Sequence, residues 1–256
     1  IRDRAQEARK SDVSLIGDVP MFVSHDSADV WAHRELFQLN SDGMPELVAG
    51  VPPDYFSEGG QKWGTVLYDW NAHRNENWRW WKERMKRMLR LFDVIRIDHF
   101  RGIHSNWAVP VGDDDARNGW WQDGPADDLL NAIHEVVVDA DRILAEDLGV
   151  VPNEVVELRR RFNLPGMAVL HFGFGGEANN PHHPHSIQSD QVVYTGTHDN
   201  DTTKGWWETL DRETKARVCA LLGDDESPHE GLIRMAMESA GRMVVLPLQD
   251  VMGLDG

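Results

Sequence analysis

The 256-residue sequence is 41% hydrophobic, enough for one large core and close to the length over which a single α/β barrel is built. Twenty-six basic against forty-three acidic residues give a formal net charge of −17, which repels nucleic acid and anionic membranes and leaves neutral or cationic partners. One cysteine, Cys219, excludes an internal disulfide and favours a reducing cytoplasm, and no uncharged apolar run is long enough to span a bilayer.

Residues 14–23 read as the first strand, with Asp18 late in it and the polar run 24–27 set to cap a short helix reaching Trp31. Residues 40–70 contain Gly43, Pro45, Gly50, Pro52, Pro53, Gly59, Gly60 and Gly64, too many breaks for a helix or a central strand. An ordered loop of this length is usually functional. Tyr55 and Phe56 follow the stiff Pro52-Pro53 pair, and Trp63 sits beside a hinge at Gly64, so the stretch is expected to be a lid or clamp over a cleft. Residues 77–92 form the clearest helix: Trp78, Trp81, Met85, Met88, Leu89 and Phe92 share one stripe, and the basic residues lie largely off it.

The next pattern, DVIRIDHFRG over residues 93–102, is short and β-branched at Val94, Ile95 and Ile97, as expected of a parallel strand buried on both faces. It ends in Asp98, flanked by Arg96, His99 and Arg101. Charge at the C-terminal end of such a strand is costly unless it is used, and in α/β barrels that end carries the active site. Taken alone, a structural Arg–Asp pair accounts for it equally well. A second loop over 107–125, rich in glycine, aspartate and tryptophan, precedes an amphipathic helix on Leu129, Leu130, Ile133, Val136 and Val137.

DRILAEDLG over residues 141–149 repeats the design, with Glu146 and Asp147 at the end of a brief apolar strand and a helix starting at Pro152 and Asn153. GMAVLHFG over 166–173 is another strand. His182, His183 and His185 follow it among asparagines and prolines, without the helical spacing of a metal motif, and read as a wet surface loop. QVVYTGTHDND over 191–201 ends a further strand in His198 and Asp199. SPHE at 227–230 opens a helix that Gly241 closes, and RMVVLPL at 242–248 is the last strand.

Six strands, near residues 14, 94, 143, 167, 192 and 243, alternate with helices or long loops. An open doubly wound sheet can use six, but carboxylates repeated on successive strand ends favour a barrel. A closed parallel barrel has eight. The expected fold is therefore an α/β (β/α)8 TIM barrel lacking its first two strands, spanning residues 1–256, with loop insertions near 40–70 and 104–125. A start at Ile1 without methionine and a stop soon after a strand pattern agree with cut ends. Unpaired edges beside Leu15 and Val245 predict a segment that is poorly active or unstable alone.

Three acidic strand ends, with no cysteine–histidine metal set, no glycine-rich phosphate loop and no serine nucleophile elbow, suggest carboxylate chemistry, with glycosyl transfer as the leading class. That reaction needs one carboxylate as nucleophile and one carboxylic acid for the leaving oxygen, about 5–5.5 Å apart in retaining enzymes. Arg96 can keep Asp98 ionised, while a drier site can hold Glu146 protonated. Eleven tryptophans against three tyrosines, with Trp63, Trp70, Trp107, Trp120 and Trp121 in loop-like stretches, fit stacking on the apolar faces of sugar rings. Trp78 and Trp81 belong to a helix core.

Five stretches, IGDVPMFV at 16–23, GVPPDYFS at 50–57, RIDHFRG at 96–102, AEDLG at 145–149 and YTGTHDNDT at 194–202, strongly resemble glycoside hydrolase family 77, the 4-α-glucanotransferases. The resemblance implies Asp98 as nucleophile, Glu146 as general acid/base and Asp199 as the carboxylate that grips sugar hydroxyls in the transition state. It implies that Arg96 and His198 orient the donor sugar, and that Tyr55, Phe56 and Trp63 belong to a glucan-binding loop. Asp54, His99 and Asp18 join them as substrate-binding candidates. No cofactor and no metal are expected, and the implied partners are α-1,4-glucans and maltooligosaccharides. Rival readings are an α-amylase-type hydrolase using the same carboxylates on water, a non-catalytic glycan-binding barrel, and a metal-dependent barrel hydrolase resting on the histidines.

Overall fold

The computed structural model of the chain describes residues 2–53, 57–223 and 225–256. The architecture is mixed α/β and divides into two compact units, Ile1–Leu164 and Pro165–Gly256. The first contains, in order, α1 (Arg2–Lys10), β1 (Ile16–Val19), β2 (Val23–Ser24), α2 (Ala28–Ala32), β3 (Leu47–Val51), β4 (Gln61–Val66), α3 (Trp70–Asn75), α4 (Arg79–Leu91), β5 (Val94–Ile97), α5 (Arg101–His104), β6 (Ser105–Pro110), β7 (Trp120–Asp123), α6 (Asp127–His134), β8 (Ile143–Ala145) and α7 (Asn153–Arg161). The second contains β9 (Gly166–Val169), β10 (Gln191–Tyr194), α8 (Thr203–Thr209), α9 (Arg212–Cys219), α10 (Pro228–Glu238), β11 (Met243–Val245) and α11 (Leu248–Val251). No helix among the described residues is long and apolar enough to cross a membrane.

All six expected strands are present and parallel to their neighbours, in the orders β1-β5-β8 and β11-β10-β9. Burial on both faces holds for β8, β9 and β10, but β1 and β5 alternate. Gly17, Val19, Ile95 and Ile97 are buried on one face, while Ile16, Asp18, Val94 and Arg96 are more open on the other. The buried face packs under α4, where Gly17 lets the Phe92 ring approach so closely that an added Cβ would lie 2.2 Å from it. At the N-terminal end of β5, the Asp93 carboxylate accepts from the Leu15 backbone N–H at 3.0 Å and from Arg9 Nε at 2.7 Å. Those bonds, the Leu15 one foremost, hold its pKa below the usual carboxylate value.

The punctuated stretches read as loops largely fold as an antiparallel sheet, in the order β2-β4-β3-β6-β7. Glycine made them look irregular, and glycine is what lets these strands pair. A Cβ at Gly50 would sit 2.2 Å from the Gln61 carbonyl oxygen, and the β3–β4 register shifts between Val48 and Gly50. The helix expected from residue 77 starts instead at Arg79, because Asn77 and Trp78 are both left-handed, with φ of 55° and 57°. Glu76 Oε1 then accepts from the Trp80 backbone N–H at 2.8 Å, satisfying one of the first-turn donors.

An aromatic cluster of Tyr68, Trp70, Trp78, Trp80 and Trp81 forms part of the first unit's core. Trp70, grouped by sequence with the loop tryptophans, is buried here, whereas Trp63, Trp120 and Trp121 are exposed. Tyr68 donates from its hydroxyl to the Met21 carbonyl at 2.7 Å, so its polar end is satisfied inside the core. In the second unit, Val193, Ala168 and Leu170 pack with Leu232, Met235 and Val218. There α10 starts as expected, with Pro228 in its first turn and the Glu230 carboxylate accepting from the Ser227 backbone N–H at 3.3 Å. Because Trp81 is fully buried, Trp81→Ala is expected to destabilise the first unit by about 3–5 kcal/mol. Urea unfolding followed by far-UV circular dichroism checks this, and an unmoved midpoint would contradict the packing described.

Candidate active site

Strand register places the charged side chains. In the parallel pair β1–β5, Asp18 is the partner of Arg96, and two residues on from Arg96 along the same strand is Asp98. Side chains at i and i+2 share a face, so the guanidinium lies between the two carboxylates. Arg96 Nη1 donates to Asp18 Oδ1 and Oδ2, both at 2.8 Å, and Nη2 lies 2.7 Å from Asp98 Oδ1. The Arg96 side chain is 11% exposed, so burial works against its charge, but Asp98 and Asp18 outweigh burial and raise its pKa.

Glu146 follows β8 as Asp98 follows β5. Because Arg96 pairs with Leu144 and Ile97 with Ala145, the register brings Glu146 to the same face as Arg96 and Asp98. Backbone bonds continue past the strand ends: Asp98 N–H donates to Val19 O at 2.9 Å, Glu146 N–H to Ile97 O at 3.0 Å, and Phe100 N–H to Glu146 O at 3.0 Å. The Glu146 carboxylate accepts from the His99 backbone N–H at 2.6 Å and the Leu148 backbone N–H at 2.8 Å. Burial is the largest influence and, with the Asp98 charge, pushes its pKa up to about 7 against the lowering effect of those N–H groups and Arg96. A carboxyl that titrates at about 7, on one face with a paired carboxylate, is an arrangement for acid/base work.

Asp147 takes the other direction. Its Oδ2 lies 2.9 Å from Arg159 Nε, and both side chains are almost wholly buried, at 7% and 2% exposure. Arg159 Nη1 also donates to the Leu164 carbonyl at 2.7 Å. Asp147 is thus a structural pair closing β8 onto α7.

His99 has a left-handed backbone, with φ of 49°, a conformation uncommon for a residue with a side chain. This is the residue whose N–H faces Glu146. Its ring meets Trp63 edge-on, with centroids 4.7 Å apart and planes at 90°, and burial lowers its pKa to about 4. Trp63, on β4, donates from Nε1 to Gln61 Oε1 at 3.0 Å and leaves part of its indole exposed. Beyond it, Trp107 and Trp121 are cross-strand partners with rings 5.0 Å apart, and the Arg101 guanidinium lies 3.8 Å from the Trp121 ring centroid while donating to the Val150 carbonyl. The first unit therefore brings together Asp18, Arg96, Asp98, His99, Glu146 and Trp63. Asp54, Tyr55 and Phe56 lie outside the described residues.

His198 and Asp199 belong to the second unit, on a turn after β10. The turn is closed by Thr197, whose N–H and hydroxyl donate to Asn200 Oδ1 at 2.8 and 2.9 Å, and Asp199 N–H donates to Thr197 Oγ1 at 3.2 Å. His198 Nε2 is 3.5 Å from Asp199 Oδ1, and both side chains are well exposed. Sequence reading missed the polar residues beneath: Thr195, His171, Thr203 and Asp250, all buried. Burial lowers the His171 pKa to about 4. Asp250, in a stretch from Met243 to Met252 that is apolar except for it and Gln249, was the available signal. His182 is also less wet than expected, since its Nδ1 accepts from the Val169 backbone N–H at 3.2 Å and burial lowers its pKa to about 4.

Comparison with known proteins bears on this geometry. The family described as 4-alpha-glucanotransferase, glycoside hydrolase family 77, matches residues 1–256. The 4-alpha-glucanotransferase, chloroplastic/amyloplastic, of Solanum tuberosum is 49% identical over 249 residues, 96% of this chain and 43% of that protein. The 4-alpha-glucanotransferase of Thermus thermophilus is 45% identical over 257 residues, 97% of this chain and 51% of that one. The chain thus spans about half the length of the curated relatives it matches. The amylomaltase of Streptococcus agalactiae, solved in complex with acarbose, superposes with a TM-score of 0.95 at 33% identity, over 99% of this chain and 52% of that one. The amylomaltase of Corynebacterium glutamicum, at 17% identity and a TM-score of 0.76, shares the fold, covering 97% of this chain and 40% of that one. With a family match over its whole length and the five sequence stretches reaching from strand to strand, this chain belongs to glycoside hydrolase family 77, the 4-α-glucanotransferases.

Proposed function

We propose that this chain carries the catalytic carboxylates of a 4-α-glucanotransferase that moves α-1,4-glucan segments between maltooligosaccharides by a retaining double displacement. The observation that carries this reading is the pairing of opposites on one strand face. Asp98 is bound to Arg96, and Glu146 beside it is pushed up to about 7.

In this reading a carboxylate oxygen of Asp98 attacks the anomeric carbon of the donor. The bond to the leaving oxygen breaks, and Glu146 gives its proton to that oxygen. An acceptor sugar then enters. Glu146, now ionised, takes the proton of the acceptor 4-hydroxyl, whose oxygen attacks the anomeric carbon and expels Asp98. Asp199 grips sugar hydroxyls in the transition state, and Arg96 and His198 orient the donor. Asp18 holds Arg96, and the N–H of His99 steadies the ionised form of Glu146 between the two half-reactions. Trp63, with Asp54, Tyr55 and Phe56, supplies a surface for glucan; a sugar held there excludes water, which favours transfer over hydrolysis. That the Streptococcus agalactiae amylomaltase was solved with acarbose supports an oligosaccharide ligand. The wider frame in this reading is a (β/α)8 barrel with insertions near 40–70 and 104–125, and the setting is cytoplasmic.

Incubation with maltotriose is expected to yield glucose together with longer oligosaccharides; glucose and maltose alone would mean hydrolysis. A 5-fluoro-glucosyl donor is expected to label the protein covalently at Asp98, with no label on Asp98→Ala. Labelling of that variant would move the nucleophile elsewhere.

The pH dependence follows from Glu146. Its first step needs the protonated acid, so kcat for transfer is expected to fall as pH rises through about 7, where Glu146 ionises. For stability, a carboxyl whose folded pKa lies above the unfolded value of about 4.5 favours folding fully below that value and loses this contribution as pH rises through about 7. Glu146→Gln cannot ionise, so its melting temperature relative to the parent should be higher at pH 8 than at pH 5. An equal difference at both pH values would place the titration on another group.

A further inference from the structure

The turn bearing His198 and Asp199 is tied down by a side chain about fifty positions further along the chain. Asp250, on α11, is 2% exposed and accepts three hydrogen bonds. Oδ1 accepts from the Thr203 backbone N–H at 2.7 Å, and Oδ2 accepts from the hydroxyls of Thr195 and Thr203 at 2.6 and 2.8 Å. Thr195 is the residue after β10 and Thr203 is the first of α8, so one carboxylate clamps both ends of residues 195–203. Burying a carboxylate is costly, and among the described residues no ion pair to Asp250 offsets the cost. The three donors do, so the carboxylate keeps its place through the Thr195 and Thr203 groups that bind it.

His171 braces the same segment. Its backbone N–H donates to Thr195 O at 3.1 Å, its Nε2 lies 3.0 Å from Thr203 Oγ1, and its ring stacks on Trp206 with centroids 4.5 Å apart. Gly196 must be glycine here, since a Cβ would lie 2.7 Å from the His171 ring. By contrast, the side chains of His198 and Asp199 are 69% and 78% exposed. Packing does not hold them; the backbone beneath them does.

We propose that Asp250 is a positioning residue for glucan transfer, acting through the turn that presents Asp199. The inference rests on the reading of Asp199 as the carboxylate that grips sugar hydroxyls in the transition state. A donor-binding role would move KM. Positioning of a transition-state contact moves kcat, because a displacement of about 1 Å costs on the order of 100-fold.

The test is a double-mutant cycle on maltotriose disproportionation, with kcat taken per folded molecule and amide hydrogen exchange read at residues 197–200. Asp250→Ala is expected to lower kcat about 100-fold with KM changed less than about threefold, and to speed exchange across the turn. In an Asp199→Asn background the same substitution should cost less than about threefold, because the contact it positions is already lost. Thr195→Val deletes one of the three bonds at nearly constant volume and should show the same pattern at about tenfold; it decides the matter if Asp250→Ala does not fold. Equal losses in both backgrounds, or an unchanged kcat whatever the exchange rates, overturn the inference. If the parent transfers no glucan, the functional reading fails instead, and the exchange rates alone then decide whether Asp250 holds the turn.

Discussion

The first unit's site depends on one guanidinium held between two strands. Arg96 is nearly removed from water, which a cation tolerates only with close counter-charges, and it has two, Asp18 from β1 and Asp98 from its own strand. The arrangement carries two negative charges against one positive charge before Glu146 is counted. Ionising Glu146 would add a third carboxylate around the same arginine in a poorly solvated place. Burial first, and the Asp98 charge after it, push the Glu146 pKa up to about 7 although Arg96 and two backbone N–H groups pull it down. Removing Arg96 would leave Asp18 and Asp98 without their shared cation and would take from Glu146 one of the influences that lower its pKa.

Partner geometry separates the candidate catalytic carboxylates from structural ones that look alike. Asp93 and Asp98 bracket the same strand, yet Asp93 is bound by Leu15 N–H and Arg9 at the N-terminal end. Glu146 and Asp147 are consecutive and leave the strand in opposite directions. One meets backbone N–H groups beside Asp98; the other meets buried Arg159. The left-handed backbone at His99 belongs to the same design, because it turns that N–H toward the Glu146 carboxylate. It also sets the imidazole edge against Trp63 of the antiparallel sheet. A single residue therefore links the Glu146 carboxyl to the Trp63 indole.

The antiparallel sheet shows how a chain can read as loop and still be ordered. Gly50 and Gly60 occupy places where a side chain would strike the backbone of a neighbouring segment, so the glycines that argue against a strand by propensity are required by the pairing. Lys62 adds a tie from β4, donating from Nζ to the Val111 and Asp113 carbonyls at 2.6 Å each, and Ala116 N–H donates to Gly59 O at 2.9 Å. These bonds join segments about fifty residues apart, and no window of sequence contains both partners.

The sequence by itself determined the positions of the six parallel strands, the capped start of α10 and the candidates Arg96, Asp98, Glu146 and Asp199. Local physics suffices for the elements, since β-branched runs make short buried strands and a serine before proline and glutamate opens a helix, while the charged strand ends became candidates through their repetition and the family resemblance. It did not determine which face of β1 and β5 would be covered, that glycine-rich stretches would pair, or that Trp70 would be core. Nor did it reveal Asp250. Each of these rests on partners distant in the chain, set by register and burial. A carboxylate becomes a nucleophile, an acid or a clamp according to what the fold brings within hydrogen-bonding distance, and that is decided by tertiary structure.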